Sequence, residues 1–366
     1  MRLPSFLHKF SSTRYDPRGA YPDPILKDLL VFVTDRCNMR CQHCMFWQRI
    51  DSPGNEMPLA SIQAIAKSID PLRTAVLTGG EPFLRKDIRA IVETFYRDNG
   101  AKHVQVDSNG LVIEPMVQLV QSDIARRYEN HLSYQVSIDG FAETHDRLRQ
   151  TPGSFNKIIA NLKRLVDLKE KHTHFRLVVL TNINQHNYQE IDALAQFLWD
   201  EVGVDHAYDI VRGSEHSTWN IPPDIKVDEN PRDCDFLPRE ALGGIMNTVK
   251  EIDRREGGAH AQFVRQLEYQ VDLYLGRPVP FRCLTAGRTI GTIYSDGSVA
   301  ACEFTNPFAH LSDYQYDLGR LWRSEIAKKQ RGRLTGCRCC HSCFMLTSME
   351  EWERQQNELG KRKNVM

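Results

Sequence analysis

The sequence predicts an α/β fold organised around a parallel β-sheet. Six short apolar runs between residues 29 and 212 alternate with helical segments, and this alternation is typical of parallel strands joined by crossover helices. We expect the strands at 29–34, 75–78, 103–107, 133–138, 175–181 and 206–211. We expect the helices between them at 59–69, 86–99, 114–125, 155–171 and 188–202. Periodicity alone does not separate a partial barrel from a doubly wound open sheet.

Composition limits the classes of partner. The 366 residues are enough for about two domains. Lys and Arg number 47, and so do Asp and Glu, so the net charge favours neither nucleic acid nor an anionic membrane. No run of eighteen apolar residues predicts a membrane span, and residues 1–15 lack the continuous apolar stretch of a secretory signal. We therefore expect a cytoplasmic protein with no nucleic-acid partner and no membrane span.

The most informative stretch is a loop that holds three cysteines directly after the first predicted strand. Cys37, Cys41 and Cys44 have C-x3-C-x2-C spacing, and three soft ligands in so short a loop suit an iron–sulfur cluster. The next cysteine along the chain is Cys234, so one iron of a [4Fe–4S] cluster would stay open to a small molecule. The alternative, a structural zinc site, is less suited because zinc prefers four closed ligands in pairs.

The ten cysteines are grouped along the chain, which favours metal binding over disulfides. A second group begins with Cys283 and Cys302, which flank a predicted β-hairpin with an Asp-Gly turn near residues 292–299. Four more cysteines follow within seven residues, at Cys337, Cys339, Cys340 and Cys343. A further iron–sulfur cluster and a zinc ribbon both remain open for this last run. Cys234 stands alone and is predicted to be a small apolar residue or a cluster ligand.

Three predicted strands end in short runs that suit ligand binding: Thr-Gly-Gly-Glu-Pro at 78–82, Asp-Ser-Asn-Gly at 107–110 and Ser-Ile-Asp-Gly at 137–140. Two glycines let the backbone approach a ligand closely, and the carboxylate of Glu81 can bind an ammonium group. Ser137 and Asp139 lie two residues apart, so an extended strand would direct both to one side. Because active sites of parallel barrels form where strands end, these runs and the cysteine loop are expected to meet.

The C-x3-C-x2-C loop and the Gly-Gly-Glu run together resemble the radical S-adenosylmethionine (radical SAM) superfamily. The resemblance implies a partial (βα)6 barrel and a reduced [4Fe–4S] cluster that cleaves S-adenosylmethionine to a 5′-deoxyadenosyl radical. It implies cofactor contacts by Gly79, Gly80, Glu81, Asn109, Ser137, Asp139 and Arg149. His43 is expected to pack on adenine. Asn182 is equally suited to contact the cofactor or to cap a helix. Arg149 is expected either to bind the cofactor carboxylate or to lie on a solvated helix surface.

The C-terminal cysteines resemble the SPASM and Twitch auxiliary-cluster domains, which open with C-x9–15-G-x4-C. The full SPASM pattern needs seven cysteines, whereas this region has six, so a one-cluster, Twitch-like domain is expected. Its ligands are predicted as Cys283, Cys302, Cys339 and Cys343, with Cys337 and Cys340 as alternates. The predicted organisation is an arm over 1–28, a core barrel over 29–212, a loop with bridging helices over 213–280, a cluster domain over 281–346 and a helical tail over 347–366.

These parts predict an oxidoreductase that modifies a substrate through a carbon radical. Only some thirty residues precede the first strand, too few for a leader-recognition domain, so a sugar-like or cyclitol-like small molecule is favoured over a peptide. Asp209 and Arg212 near the end of the sixth strand are candidates for a general base and a substrate clamp. A flavodoxin-type or ferredoxin-type protein is the expected electron donor. The alternative from another class is a non-catalytic electron relay or redox sensor.

Overall fold

The computed structural model describes residues 24–51, 56–212, 218–227, 236–258 and 260–363. Most of the arm predicted over 1–28, and Cys234, lie outside these described residues. The rest of the chain forms an α/β structure in which one large sheet carries helices on one face and the C-terminal cysteine region on the other.

Six parallel strands form the centre of the sheet, in the order in which they occur along the chain. They are β1 (Asp28–Thr34), β2 (Thr74–Gly79), β3 (His103–Ser108), β4 (His131–Ser137), β5 (Phe175–Ile183) and β6 (Asp205–Ile210). Each lies within two residues of its predicted bounds. Consecutive order with right-handed crossovers puts every connecting helix on the same face, so the sheet bends as in a partial barrel and not as in a doubly wound sheet.

The helices cover the outer face of this sheet. They are α1 (Leu59–Lys67), α2 (Ile88–Thr94), α3 (Ile113–Gln121), α4 (Ile124–Arg127), α5 (Ala142–Arg149), α6 (Ser154–Lys171), α7 (Ile191–Phe197), α8 (Arg239–Arg255) and α9 (Ala261–Tyr274). The helix predicted over 114–125 splits into α3 and α4 at Asp123, which has φ 51°. α5 was not predicted as a helix. None of the helices in the described part of the chain is long and apolar enough to cross a bilayer.

Alternate residues along the strands separate two different environments. On β3, Val104 and Val106 pack into the apolar core beneath the helices, so Gln105 and Asp107 point to the opposite, inner face. The inner face is therefore polar on β3. On β1 and β2 it is apolar, because Leu30 and Val76 pack against the C-terminal cysteine region.

The C-terminal region extends the same sheet. β8 (Ile290–Ile293) pairs in parallel with β1, followed by β9 (Ser298–Ala300) and β10 (Ala309–His310), which gives the order β10-β9-β8-β1-β2-β3-β4-β5-β6. β8 and β9 form the hairpin predicted from the sequence. A second small sheet joins β7 (Thr218–Trp219) to β11 (Arg338–Cys339) and was not predicted.

The last helices cross the open side of the barrel. α10 (Leu318–Arg323) and α11 (Glu325–Arg333) are separate helices, because Ser324 between them is extended and caps α11. α12 (Ser342–Lys363) begins where Ser342 donates to Asp209 at the end of β6. In the first half of α12, Glu350 pairs with Arg73, just before β2. α12 thus crosses the open side of the barrel from the carboxyl edge of the strands to their amino edge.

Candidate active site

The cysteine loop is fastened to the strand beside it by the two glycines at 79 and 80. The amide of Gly80 donates to the carbonyl of Thr34 and that of Glu81 to the carbonyl of Arg36, both at 2.8 Å. A Cβ on Gly80 would lie 2.1 Å from the Arg36 oxygen, and one on Gly79, where φ is +132°, would lie 2.3 Å from the Thr34 oxygen. Only glycine lets the two segments approach so closely. The loop position therefore depends on the glycines directly.

All three cysteines of the loop are free and partly buried. Burial raises the pKa of the Cys37 thiol to about 11 and that of Cys44 to about 12, so both are protonated in the protein alone. A bound metal centre deprotonates the thiols that coordinate it. The loop thus presents three neighbouring thiols whose ionisation is coupled to metal binding.

Asp139 joins four of the predicted site residues into one buried network. Its carboxylate forms an ion pair with Arg149 at 2.6 Å and lies 3.2 Å from the Nε2 atom of His43. It also accepts a hydrogen bond from the amide of Asn182 at 2.9 Å. Burial alone would raise the pKa of Asp139, but Arg149 and His43 hold it below its usual value. Asp139 is therefore an ionised anchor, and Asn182 meets it through its backbone.

Arg149 connects this network to the cysteine loop. It is the last residue of α5, and its Nη1 atom lies 3.6 Å from the Sγ atom of Cys41. With only 7% of its surface exposed, Arg149 does not occupy the solvated helix surface that the sequence left open. Burial lowers the pKa of His43 to about 4, so the imidazole beside Asp139 is neutral. The Arg149 guanidinium acts electrostatically on all three thiols of the loop.

Glu81 lies fully buried at the end of β2. Its carboxylate accepts hydrogen bonds from the Ser108 hydroxyl at 2.9 Å and from the amides of Asn109 at 2.7 Å and Phe83 at 3.0 Å. Burial raises its pKa to about 7, against these hydrogen bonds. The Asn109 side chain donates to that of Asn38 inside the cysteine loop at 2.7 Å. Both residues therefore join β2 and β3 to the loop. Ser137 is the last residue of β4 and is half-buried.

The donor set fits an iron–sulfur cluster with a bound polar ligand. Three free thiols share one loop, and two buried atoms next to them, Nδ1 of His43 and Nε of Arg149, have no hydrogen-bond partner among the described residues. Orphaned buried polar atoms are costly unless a ligand or water meets them. Within the ranges described, no three His, Cys, Asp or Glu side chains are placed to hold a single metal ion.

The C-terminal cysteines converge on the inner face of the sheet. The Cys283 amide donates to the carbonyl of Cys337 at 2.8 Å, and a hydrogen bond from Cys339 lowers the pKa of the Cys283 thiol to about 6. Cys302 interacts electrostatically with both Cys283 and Cys337. Cys337, an alternate in the sequence-based set, thus lies with this group.

The two remaining cysteines of the run have other surroundings. The charged groups that act most strongly on the Cys343 thiol are Glu303 and Asp107. The Cys340 thiol lies 3.3 Å from the hydroxyl of Tyr274. Cys343 packs against the same apolar cluster as Cys283, but no other cysteine is among the main electrostatic neighbours of its thiol, whereas Cys283, Cys302, Cys337 and Cys339 each have one.

An ionic group lies beside the C-terminal cysteines, where Arg212 interacts with Cys340 and Cys343. Arg212 approaches Glu303 at 3.7 Å and Asp209 at 3.9 Å, and Glu303 contacts His341. Asp209 is held by Gln270 at 2.6 Å and by Ser342 at 2.9 Å, and burial raises its pKa. Sequence reasoning missed Glu303 and Asp107. The position of Asp107 at a strand end could have identified it. For Glu303 the sequence offered one signal, its place next to Cys302.

The sequence comparison identifies the class of this site. Residues 31–198 match the model of the Radical SAM superfamily, a family that uses a [4Fe–4S] cluster and S-adenosylmethionine. The GTP 3′,8-cyclase of Clostridium botulinum is 29% identical over 168 residues, covering 45% of this chain and 50% of the relative. The Fe-coproporphyrin III synthase of Methanosarcina barkeri is 27% identical over 243 residues, covering 64% and 54%. The matched region is about half the length of these curated relatives.

Solved structures share the fold. SuiB of Streptococcus suis bound to S-adenosylmethionine has a TM-score of 0.58 and 13% identity, covering 82% of this chain and 66% of that one. The anSMEcpe protein with bound AdoMet and the Cp18Cys peptide has a TM-score of 0.57 and 14% identity, covering 93% and 99%. These likenesses confirm the α/β architecture with its parallel sheet that the sequence predicted.

Proposed function

We propose that the protein is a radical SAM oxidoreductase that abstracts a hydrogen from a small polar molecule of the sugar or cyclitol type. When bound, the cluster and S-adenosylmethionine supply a 5′-deoxyadenosyl radical. The observation that carries the proposal is the three-thiol loop, clamped by Gly79 and Gly80 and contacted by Arg149. We infer that the cluster is held by Cys37, Cys41 and Cys44.

The chain's own residues would orient the cofactor. Arg149 carries the positive charge that suits a carboxylate, and its Nε atom remains free for one. Glu81 is buried beside Asn109, where its carboxylate suits an ammonium group once ionised. Neutral His43 offers a flat ring for stacking and an unpaired Nδ1 atom. Burial of the whole network excludes water, which protects a reactive radical.

The inner face of the barrel supports a polar substrate. Gln105 and Asp107 on β3 and Gln135 and Ser137 on β4 are half-buried and alternate with core residues. Amide, carboxylate and hydroxyl groups in this arrangement suit a molecule with several hydroxyl groups. Arg212 is the group best placed to fix the substrate, because it meets its two carboxylates only at 3.7 and 3.9 Å. Asp209, the candidate base, has a raised pKa but is already hydrogen-bonded, so it better suits the support of Arg212.

We further propose that one auxiliary [4Fe–4S] cluster is held by Cys283, Cys302, Cys337 and Cys339. Mutual proximity supports Cys337 over Cys343 in this set. Four thiolates would close the cluster, so it would accept or pass electrons and not bind substrate. A closed cluster next to Glu303 and Arg212 suits removal of the second electron from a substrate radical, which makes the net reaction an oxidation.

The test begins with anaerobic reconstitution, followed by dithionite and S-adenosylmethionine. The wild-type protein is expected to release 5′-deoxyadenosine, and a variant with Ala at positions 37, 41 and 44 is expected to release none. Product release by that variant would contradict the site. A protein that carries iron but releases no 5′-deoxyadenosine with any reductant would instead be an electron relay or redox sensor.

Substrate class needs a second measurement. One panel contains sugars and cyclitols, and a matched panel contains short peptides. Each compound is incubated with the active protein in deuterated buffer, and the yield of 5′-deoxyadenosine and the mass of the product are recorded. A product two hydrogens lighter from the first panel supports the proposal. A product only from the peptides would make the protein a peptide-modifying radical SAM maturase.

A further inference from the structure

One surface of the protein carries a large excess of positive charge, although the whole chain carries none. Residues 318–339, which include α10 and α11, contain seven Lys and Arg and a single Glu, while the chain as a whole balances 47 against 47. Four of these cations are exposed: Arg320, Arg323, Lys328 and Lys329. We call the outer face of α10 and α11 the basic face.

Arg333 is half-buried and pairs with Asp224, but little of the charge on the four exposed cations is neutralised locally. Among the described residues, Arg320, Arg323 and Lys329 form no ion pair, and Lys328 meets Glu325 at 3.5 Å in a well-exposed pair. Exposed pairs of this kind contribute little and break easily. The basic face therefore projects an uncompensated positive potential, which attracts acidic macromolecules over the range of a Debye length.

The surroundings of the first cysteine loop differ in this respect. The exposed cations Arg36 and Arg40 pair there with Glu56 and Asp51, and the half-buried Arg49 pairs with Asp296. The loop that holds the first cluster therefore lacks the charge excess that would steer an acidic protein towards it.

The basic face also includes one exposed apolar residue. Ile326 is 44% exposed, and Lys329 and Arg333 follow it at i+3 and i+7 on the same side of α11. An apolar residue with basic neighbours on one helix face is the composition of a protein-binding surface, in which a small desolvated spot is surrounded by steering charges.

The opposite side of α11 rests on the C-terminal cysteine group. Leu334 packs in the same apolar cluster as Cys302 and Cys337, and its carbonyl accepts from the Cys337 amide at 3.2 Å. Arg331 lies against Gly287 and hydrogen-bonds its carbonyl at 3.5 Å. A protein docked on the basic face would therefore be separated from these cysteines by one helix, about 10 Å across.

We propose that the basic face docks an acidic one-electron donor of the flavodoxin class and that the electron enters through the C-terminal cysteine group. The inference rests on the proposed function, because it needs the auxiliary cluster. In the step, a flavin hydroquinone gives up one electron and one proton and becomes the semiquinone. The auxiliary cluster, when bound and oxidised, would accept this one electron, and water would take the proton.

The test compares two reductants on the full, reconstituted protein. Fully reduced flavodoxin is mixed with the wild type, with a Lys328→Glu/Lys329→Glu variant and with Ile326→Ser, and semiquinone formation is followed by stopped-flow absorbance. The control variant, Lys157→Glu/Lys163→Glu, makes the same change in charge at exposed positions of α6. Iron content and thermal unfolding are measured for every variant.

At low ionic strength the double variant on α11 is expected to react at least tenfold more slowly, since steering of this kind alters association rates by 10-fold or more. The control is expected to match the wild type, and only the α11 variant should lose the dependence on salt. Dithionite-driven formation of 5′-deoxyadenosine should be unchanged in all of them. If the α11 double variant reacts with flavodoxin at the wild-type rate, the docking site is wrong. The same holds if that variant keeps the rate but no longer binds a DNA oligonucleotide. If dithionite gives no 5′-deoxyadenosine with the wild type, the proposed function is wrong instead.

Discussion

A single methyl group added at position 80 is expected to disable the site without unfolding the protein. In Gly80→Ala the new Cβ would lie 2.1 Å from the carbonyl oxygen of Arg36, whereas ordinary contact needs about 3.4 Å. The cysteine loop must therefore move by about 1.3 Å relative to β2. Overpacking of this kind costs about 1–3 kcal/mol of stability, whereas a 1 Å misplacement at a reacting centre lowers rates by about 100-fold.

The assay separates these two effects. Iron content after anaerobic reconstitution, thermal unfolding and dithionite-driven release of 5′-deoxyadenosine are measured on Gly80→Ala. The control is Gly243→Ala in α8, where a Cβ would meet nothing within 4 Å and where alanine favours the helix. We expect the control to keep full activity and Gly80→Ala to lose about 99% of it. Wild-type iron and turnover in Gly80→Ala would refute the clamp.

Three further outcomes follow from the same contacts. Arg149→Met should lower the free energy of unfolding by about 3–5 kcal/mol, because it leaves the buried Asp139 carboxylate without its cation; adding Asp139→Asn should recover part of this loss in urea denaturation. Burial raises the pKa of Glu256 to about 7, so the folded state holds a proton that the unfolded state releases, and stability should fall between about pH 4.5 and 7; Glu256→Gln should flatten that slope in thermal unfolding. Cys337→Ala should lower iron from about eight to about four per chain by chemical analysis, whereas Cys340→Ala should not.

Each of these outcomes has a clear opposite. Equal stability of Arg149→Met and the wild type would mean that water, not the guanidinium, neutralises the Asp139 carboxylate. A slope with pH that persists in Glu256→Gln would place the titrating group elsewhere. If Cys343→Ala loses four irons and Cys337→Ala loses none, the ligand set predicted from the sequence alone is the better one.

The strands and the cysteine loop could be predicted because their signals are local. A run of apolar residues between turn residues specifies a buried parallel strand wherever it lies, and three cysteines within eight residues must share one loop. The bounds of the helices were less accurate. Ser324 ends one helix and caps the next, and Asp123 takes a left-handed conformation; neither residue stands out from its neighbours in composition.

The network at the site could not be derived from the sequence, because it depends on contacts between distant segments. Asp139 meets His43, Arg149 and Asn182 only after β4, β5 and the cysteine loop have come together at one edge. The glycines at 79 and 80 illustrate the same limit. Their residue type predicted a close approach to a ligand, but the group that approaches is the backbone of the loop itself.

The continuous sheet explains how the two cysteine groups keep a fixed separation. β1 pairs with β2 on one side and with β8 on the other, so the first loop and the segment between Cys283 and Cys302 hang from the same strand. α12 adds a second restraint, since it bonds to β6 through Ser342 and reaches Arg73 through Glu350. A hinge between two lobes would let the separation vary. Here the core of the barrel sets it, and an electron moving between the two groups would meet the same distance in every turnover.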